Sequence, residues 1–502
     1  MCAAEARTLV EGAASRPADT GVPPAGPMPA PLVVDLDGTL TPTDTLVEAV
    51  IRMAKHHPFR LLRLPWELSR GRASFKAWVC SQEDWSPEHL LLNEALVEYL
   101  RVEHRNGREI LLATAADAGT AHQVARRLGI FSRVICSDGI TNVKGMHKLE
   151  AIRKILGGRF VYAGDSAADI PIWRESEAAI LVGASRRVSR RVRRAVPVEK
   201  EWAAPAASLK TWLRALRIHQ WLKNLLLFVP FLTSFGEGGA GNPVTLVQGF
   251  FAFSFVASAT YLGNDLWDLD ADRQHPTKHT RPLASGAIRI TAAIPVALGL
   301  LVTGFLLAGL VGTTFQWVLL LYLGTTTLYS LRLKRYVLAD VLTLSALYMM
   351  RIIAGSVAVG VVTSSWLLAF AGFMFLSLAL IKRCSELVLL HDAGKLATRG
   401  RDYRVSDLTV LWPLGTAAGL SSVIVFGLFI NTPDVQARYA CPEFLWLVAL
   451  GLTYWITRLW IKTARGEMDD DPLVFALKDF GSRATIAGML AATLVARFIE
   501  VG

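Results

Sequence analysis

Cysteine is scarce in this chain, with five in 502 residues: Cys2, Cys80, Cys136, Cys384 and Cys441. Their number is odd, and no two stand at the short spacing of a metal knuckle. That excludes a cysteine-ligated metal and a disulfide framework, and fits free thiols in a reducing compartment. Acidic residues are in deficit, 42 against 53 Lys and Arg, for a formal net charge of +11. Such an excess suits nucleic acid or an anionic membrane surface. No basic stripe with interleaved aromatics is present, so nucleic acid is not expected as a partner. An apolar segment of roughly 7–15 residues near the start is also missing, so the N-terminus is expected to stay in the cytoplasm.

What is abundant is apolar surface. Apolar residues make up 52 % and the mean hydropathy is +0.37, high for a soluble protein. The length of 502 residues exceeds one ordinary domain. Residues 1–30, rich in Ala, Pro and Gly, read as a disordered leader. From about residue 220 nine apolar runs follow, roughly 221–235, 244–263, 291–310, 313–330, 339–361, 365–382, 408–430, 443–462 and 483–500. At about 1.5 Å per residue most are long enough for a hydrocarbon core of ~30 Å; the first is short. With the N-terminus inside, the inside loops hold Arg273, Lys278, Arg281 and Arg289, then Arg332, Lys334 and Arg335, then Lys395, Arg399, Arg401 and Arg404, then Arg465 and Lys478. The opposite loops hold little beyond Arg438, which is the positive-inside pattern of an inner-membrane, multi-pass protein.

The densest polar feature is Asn264-Asp265-Leu266-Trp267-Asp268-Leu269-Asp270-Ala271-Asp272, directly after an apolar run. On a helix Asp265, Asp268 and Asp272 share one face. Carboxylates at a membrane helix end are costly and so point to function. Beside Lys278 and Arg281 they suit Mg²⁺ together with phosphate. The plain alternative is a solvated acidic loop at the membrane edge. The stretch resembles the first aspartate-rich motif of the UbiA-type intramembrane prenyltransferases, N-D-x-x-D-x-x-x-D. The resemblance implies an all-α polytopic bundle over 211–502, of about nine transmembrane helices, whose carboxylates hold Mg²⁺ against a diphosphate.

Upstream, Leu32-Val33-Val34-Asp35-Leu36-Asp37-Gly38-Thr39 reads as a buried parallel strand delivering two carboxylates at its end. The sequence D-x-D-G-T resembles motif one of the haloacid dehalogenase superfamily. Three further pieces stand in family order. Ile110–Thr114 is a strand ending in a hydroxyl. Lys144 and Lys148 precede a helical segment, and the distance to the next motif favours Lys148. Phe160–Asp169 is a strand followed by G-D-x-x-x-D. The resemblance implies a Rossmann-like α/β hydrolase domain over 31–184. In it Asp35 is the nucleophile, Asp37 the acid and base, Thr114 and Lys148 the phosphate binders, and Asp35, Asp165 and Asp169 the Mg²⁺ ligands. The alternative is a domain of this fold whose catalysis has decayed. Residues 42–105 read as a helical cap, with an apolar and basic stretch, His57–Trp66, suited to a membrane surface. Residues 185–210, with Arg186, Arg187, Arg190, Arg191, Arg193 and Arg194, read as a basic linker on the inner leaflet or a solvated helix face.

A second polar set lies within the spans. Asp340 and Arg351 are eleven residues apart, three turns plus about 20°, and so share a helix face with Tyr348 and Gly355. They serve either a substrate or a structural ion pair. Lys382-Arg383-Cys384-Ser385-Glu386 ends the sixth apolar run. The D-x-x-x-D second motif of aromatic prenyltransferases is missing there; Glu386, Asp392 and Asp402 are its only substitutes. Arg217-Ile218-His219-Gln220-Trp221-Leu222-Lys223-Asn224, Tyr348–Gly355 and Lys382–Leu387 resemble the decaprenyl-phosphate phosphoribosyltransferases within the superfamily. This implies transfer of 5-phosphoribose from phosphoribosyl diphosphate to a polyprenyl phosphate, with Lys223, Asn264, Lys278, Arg281, Arg351, Lys382 and Glu386 around the substrates. Two other readings stay open: prenylation of an aromatic acceptor by a polyprenyl diphosphate, and a membrane-anchored phosphatase.

Overall fold

The computed structural model describes residues 29–82, 88, 90–203, 207–233, 242–394, 401–468 and 471–498. The expected leader, apart from its last two residues, lies outside them, as do His89, Lys395 and Arg399. The chain divides into two compact units near residue 204.

The first unit is built on a six-stranded, all-parallel sheet in the order β3-β2-β1-β4-β5-β6. The strands are β1 Leu32–Val34, β2 Ile110–Asp117, β3 Arg133–Ser137, β4 Val161–Gly164, β5 Ala178–Val182 and β6 Val198–Trp202. β1, β4 and the first half of β2, residues 110–113, are unbroken apolar runs because helices cover both sheet faces. Alternate residues feed different layers. Leu32 and Val34 pack with Leu96, Leu100 and Val124. Val33 packs with Leu149, Ile152 and Trp173. β1 lies between β2 and β4, so the C-terminal edges of these three central strands set Asp35, Thr114 and Asp165 close together.

Two parts of this unit differ in detail from expectation. Within the 42–105 insertion, Glu94–Arg105 is an N-capped helix whose Leu96, Val97 and Leu100 are buried in the sheet's own core. Of the two readings of the arginine-rich stretch, a linker or a solvated helix face, the second holds for Arg186–Arg193. Arg186–Arg193 is a helix that buries Val188 and Val192, and β6 extends the sheet beyond it. A spacing of four puts both valines on one face, against the core cluster of Ile172 and Trp173, while the arginines face outward.

The second unit is helical. Among the described residues six helical segments are long and apolar enough to cross a membrane: Pro243–Trp267, Ile290–Val311, Ala339–Val359, Ser365–Asp392, Val405–Ile430 and Pro442–Ala464. Thr313–Leu331 and Phe480–Phe498 are also helices, diluted by Gln316 and several threonines in one and by Arg483 and Arg497 in the other. Among the described residues the expected count of nine is therefore not confirmed. The first apolar run is a 3₁₀ stretch, Ile218–Phe228, followed by the short helix Val229–Thr233. It lies close against Ala339–Val359, where a Cβ on Gly355 would overlap the Leu227 carbonyl. With this composition the unit is a multi-pass membrane domain.

Candidate active sites

In the first unit Asp35 stands at the end of β1, its amide donating to the Ala163 carbonyl at 3.0 Å. One carboxylate oxygen accepts from the Leu36 amide at 2.8 Å, and the other lies 2.8 Å from Lys148 Nζ. Lys148, not Lys144, is the lysine that meets Asp35. It is 2 % exposed, and its Nζ also reaches the Tyr162 hydroxyl at 3.0 Å and Asp169 Oδ1 at 3.9 Å. Tyr162 in turn donates to Asp169 at 3.0 Å, and Asp169 accepts from the Ser166 hydroxyl at 2.8 Å. Burial pushes the Asp35 carboxyl up, against the pull of Lys148. Asp37 Oδ1 accepts from the Thr45 amide at 2.9 Å. Burial, and then the neighbouring Asp44, push the Asp37 carboxyl up to about 7, where a group exchanges protons readily near neutral pH. Gly38 has φ +79°, and a Cβ there would overlap the Asp165 carboxylate, so the glycine lets Asp165 approach motif one. Thr114 is fully buried within β2, which runs on to Asp117 rather than ending at the hydroxyl as expected, and its hydroxyl oxygen accepts from the Ala116 amide at 3.0 Å.

In the second unit Asp265 and Asp272 are each 3 % exposed. Asp265 Oδ1 is bound by Arg217 at 2.6 Å and Arg281 Nη1 at 3.2 Å. The same Arg281 nitrogen lies 2.6 Å from Asp272 Oδ2. Asp268 is turned to Lys334 at 3.4 Å. Asn264 accepts the Asp268 amide through its backbone carbonyl at 2.9 Å, and Lys278 is exposed on the short 3₁₀ turn Lys278–Thr280. No group of three His, Cys, Asp or Glu is drawn into metal-binding array among the described residues. Instead one cationic nitrogen bridges two carboxylates in each site, Arg281 Nη1 in the bundle and Lys148 Nζ in the hydrolase. Two carboxylates converging on one positive centre, with only oxygen donors, fit a hard divalent cation.

Deeper in the bundle the ion pair of Asp340 with Arg351, the structural alternative for these two residues, does not form. Asp340 is bound through both oxygens by Arg383 of the helix Ser365–Asp392, and accepts from the Tyr329 hydroxyl at 2.8 Å. Arg383 also grips Glu386 at 2.7 and 2.6 Å, and Arg401 adds a 3.0 Å contact to it. Sharing a helix face did not decide the pairing, because a neighbouring helix supplied a better-placed guanidinium. Arg351 instead donates to Asn224 Oδ1 at 2.8 Å and to the Tyr322 hydroxyl at 3.1 Å. Lys223 pairs with Asp471 and lies 5.6 Å from the Tyr348 ring centre. Among the described residues no carboxylate lies within ion-pairing distance of Arg351 or Lys382.

Sequence reading gave no role to Arg217, Arg383, Asp471, Tyr162 or Lys76. Arg217 and Arg383 lie inside stretches singled out by resemblance, but their partners are 48 and 43 residues away. Arg217 also has φ +51°, a left-handed conformation rare for arginine, held where its side chain reaches Asp265 and stacks on Tyr261. No local pattern signals such a contact.

A haloacid dehalogenase-like hydrolase profile matches residues 32–174, and the UbiA prenyltransferase family profile matches residues 225–478, just over half of the chain. Uncharacterized protein y4nM of Sinorhizobium fredii is 38 % identical over 456 residues, 89 % of this chain and 87 % of that protein. Nodulation protein NoeC of Azorhizobium caulinodans is 34 % identical over 291 residues, 58 % of this chain and 94 % of that protein. Decaprenyl-phosphate phosphoribosyltransferase of Mycobacterium tuberculosis is 33 % identical over 235 residues, 46 % of this chain and 77 % of that protein. With its aspartate-bearing helix end set in a membrane bundle, the chain belongs to the UbiA prenyltransferase family, as a transferase that carries a haloacid dehalogenase-like phosphatase domain on its N-terminal side.

Proposed function

We propose that the bundle transfers 5-phosphoribose from phosphoribosyl diphosphate to a polyprenyl phosphate, and that the hydrolase domain removes the 5-phosphate from the lipid product. The observation that carries the first step is the excess of cations inside the bundle. Among the described residues Asp471 is the carboxylate within ion-pairing distance of the Lys223, Arg351 and Lys382 set, so a phosphate is the natural further counter-ion. Glu386, the nearest substitute for the missing second aspartate motif, is already held by Arg383 and Arg401. The D-x-x-x-D pair is missing from the sequence there, and that weighs against a second metal–diphosphate site of the aromatic type. The relative named decaprenyl-phosphate phosphoribosyltransferase supports the same choice.

In this reading an oxygen of the polyprenyl phosphate bonds to the anomeric carbon of ribose, and the bond from that carbon to diphosphate breaks. Lys223, Arg351 and Lys382 hold the acceptor phosphate. Arg281, Lys278 and Asn264 hold the donor, Arg281 leaving its two aspartates to do so. In the hydrolase Asp35 attacks phosphorus, Asp37 protonates the departing ribose oxygen, and Thr114 and Lys148 hold the phosphoryl oxygens. Asp265, Asp268 and Asp272 of the bundle, and Asp35, Asp165 and Asp169 of the hydrolase, would hold Mg²⁺, which would supply charge neutralisation at the phosphates. The basic loops favour a cytoplasmic side for the Asp265 end of the bundle in an inner membrane, and the reading requires the hydrolase on that side too.

The test is a comparison of substrate pairs with purified protein in nanodiscs. Phosphoribosyl diphosphate with polyprenyl phosphate is expected to yield a new lipid and release diphosphate. Polyprenyl diphosphate with 4-hydroxybenzoate is expected to yield nothing. Turnover of the second pair alone would overturn the reading.

A further inference from the structure

Between the sheet core and the rest of the insertion, residues 58–69 form two short turns of helix, Pro58–Arg63 and Leu64–Ser69. Their apolar side chains face water: Phe59 is 85 % exposed, Leu62 80 % and Trp66 68 %. The spacing of three and then four places all three on one face. Large exposed apolar side chains gathered in one place mark an interaction surface. Arg60, Arg63, Arg70 and Arg72 neighbour them along the chain, and Glu67, the one acid between residues 57 and 72, is buried and paired with Arg70 at 3.4 Å. An apolar, aromatic face in an arginine-rich segment matches an anionic bilayer, whose interface accepts Trp and Phe and whose headgroups attract arginine. The six candidate spans of the same chain keep a bilayer permanently at hand.

The next helix, Arg72–Cys80, connects this face to the chemistry. Its Lys76 Nζ donates to the Ala115 carbonyl at 2.7 Å and to Asn142 Oδ1 at 3.3 Å. Ala115 directly follows Thr114. One short insertion therefore carries an outward apolar face and touches the edge of the hydrolase site.

We propose that the Phe59, Leu62 and Trp66 face docks on the anionic bilayer surface, so that the hydrolase site works on phosphate monoesters borne by lipid in preference to soluble ones. The docking itself is independent of the reaction assigned above; the substrate preference rests on that assignment.

The experiment uses the full chain in nanodiscs containing phosphatidylglycerol. With Leu62→p-benzoylphenylalanine, illumination is expected to give lipid adducts at that position. Adducts to peptide alone, from this chain or a second copy, would overturn bilayer docking in favour of a protein interface. In parallel, the triple variant Phe59→Ser, Leu62→Ser, Trp66→Ser is assayed on two esters: the 5-phosphorylated lipid collected from an Asp35→Asn reaction, and ribose 5-phosphate in solution. The expected result is a loss of about tenfold or more on the lipid and little change on the soluble ester. Equal loss on both, or no loss on either, would overturn the substrate preference. If Asp35→Asn makes no such lipid, the assigned reaction fails, and the adducts still decide the docking.

Discussion

A single nitrogen of Arg281 joins Asp265 to Asp272, and Arg217 caps Asp265 from the other side. Removing either aspartate's charge leaves a guanidinium without its carboxylate and, on the proposed metal-binding role, weakens an oxygen ligand. Asp265→Asn or Asp272→Asn is expected to lower transfer by about a hundredfold or more, the scale of losing one electrostatic contact at a reacting charge. The protein should remain folded in detergent; full turnover at ordinary Mg²⁺ would contradict the metal-binding role. Arg351 makes a different case, because its hydrogen bonds go to the neutral side chains Asn224 and Tyr322. Arg351→Ala is expected to raise KM for polyprenyl phosphate about tenfold or more, in proportion to a lost charged hydrogen bond of ~1.5–3 kcal/mol, and Arg351→Lys to recover part of it. Lost thermal stability with unchanged kinetics would assign Arg351 a structural duty instead.

At the scale of elements, close approach decides what the sequence hides. The helix Ala339–Val359 meets the 3₁₀ stretch Ile218–Phe228 through Gly355, with no room for a side chain. Gly355→Ala is expected to cost about 1–3 kcal/mol, the range for overpacking a tight contact, seen as a lower unfolding temperature in detergent. The arginine-rich stretch after residue 185 gives the second test. As a linker it would tolerate a charge at Val192; as a helix with Val192 1 % exposed it would not. Val192→Asp is expected to destabilise the hydrolase domain by about 1–3 kcal/mol or more, read by limited proteolysis. The six arginines dominated the reading of this stretch, because charge is conspicuous in a sequence and two valines are not. The strands before Asp35, Thr114 and Asp165 were legible for the opposite reason: each is a short, unbroken apolar run ending in a polar group.

At the scale of the whole molecule, the two-part architecture was written in hydropathy and in motifs carried by consecutive residues. The boundaries and pairings depend on distant partners. Asp340 shares a helix face with Arg351 yet binds Arg383, and the described part of the apolar run at 221–235 is a 3₁₀ stretch joined to a short helix rather than one long α-helix. Helix period and run length are local properties; which guanidinium reaches a carboxylate is a property of the packed bundle. The proposed function requires one chain both to make a phosphoribosylated lipid and to trim it. Its most direct measurement compares wild type with Asp35→Asn in liposomes supplied with phosphoribosyl diphosphate and polyprenyl phosphate, resolving the lipids by mass. The claim requires the 5-phosphorylated lipid to accumulate with Asp35→Asn and the dephosphorylated lipid to appear only with wild type. Identical lipid products from the two proteins would contradict it.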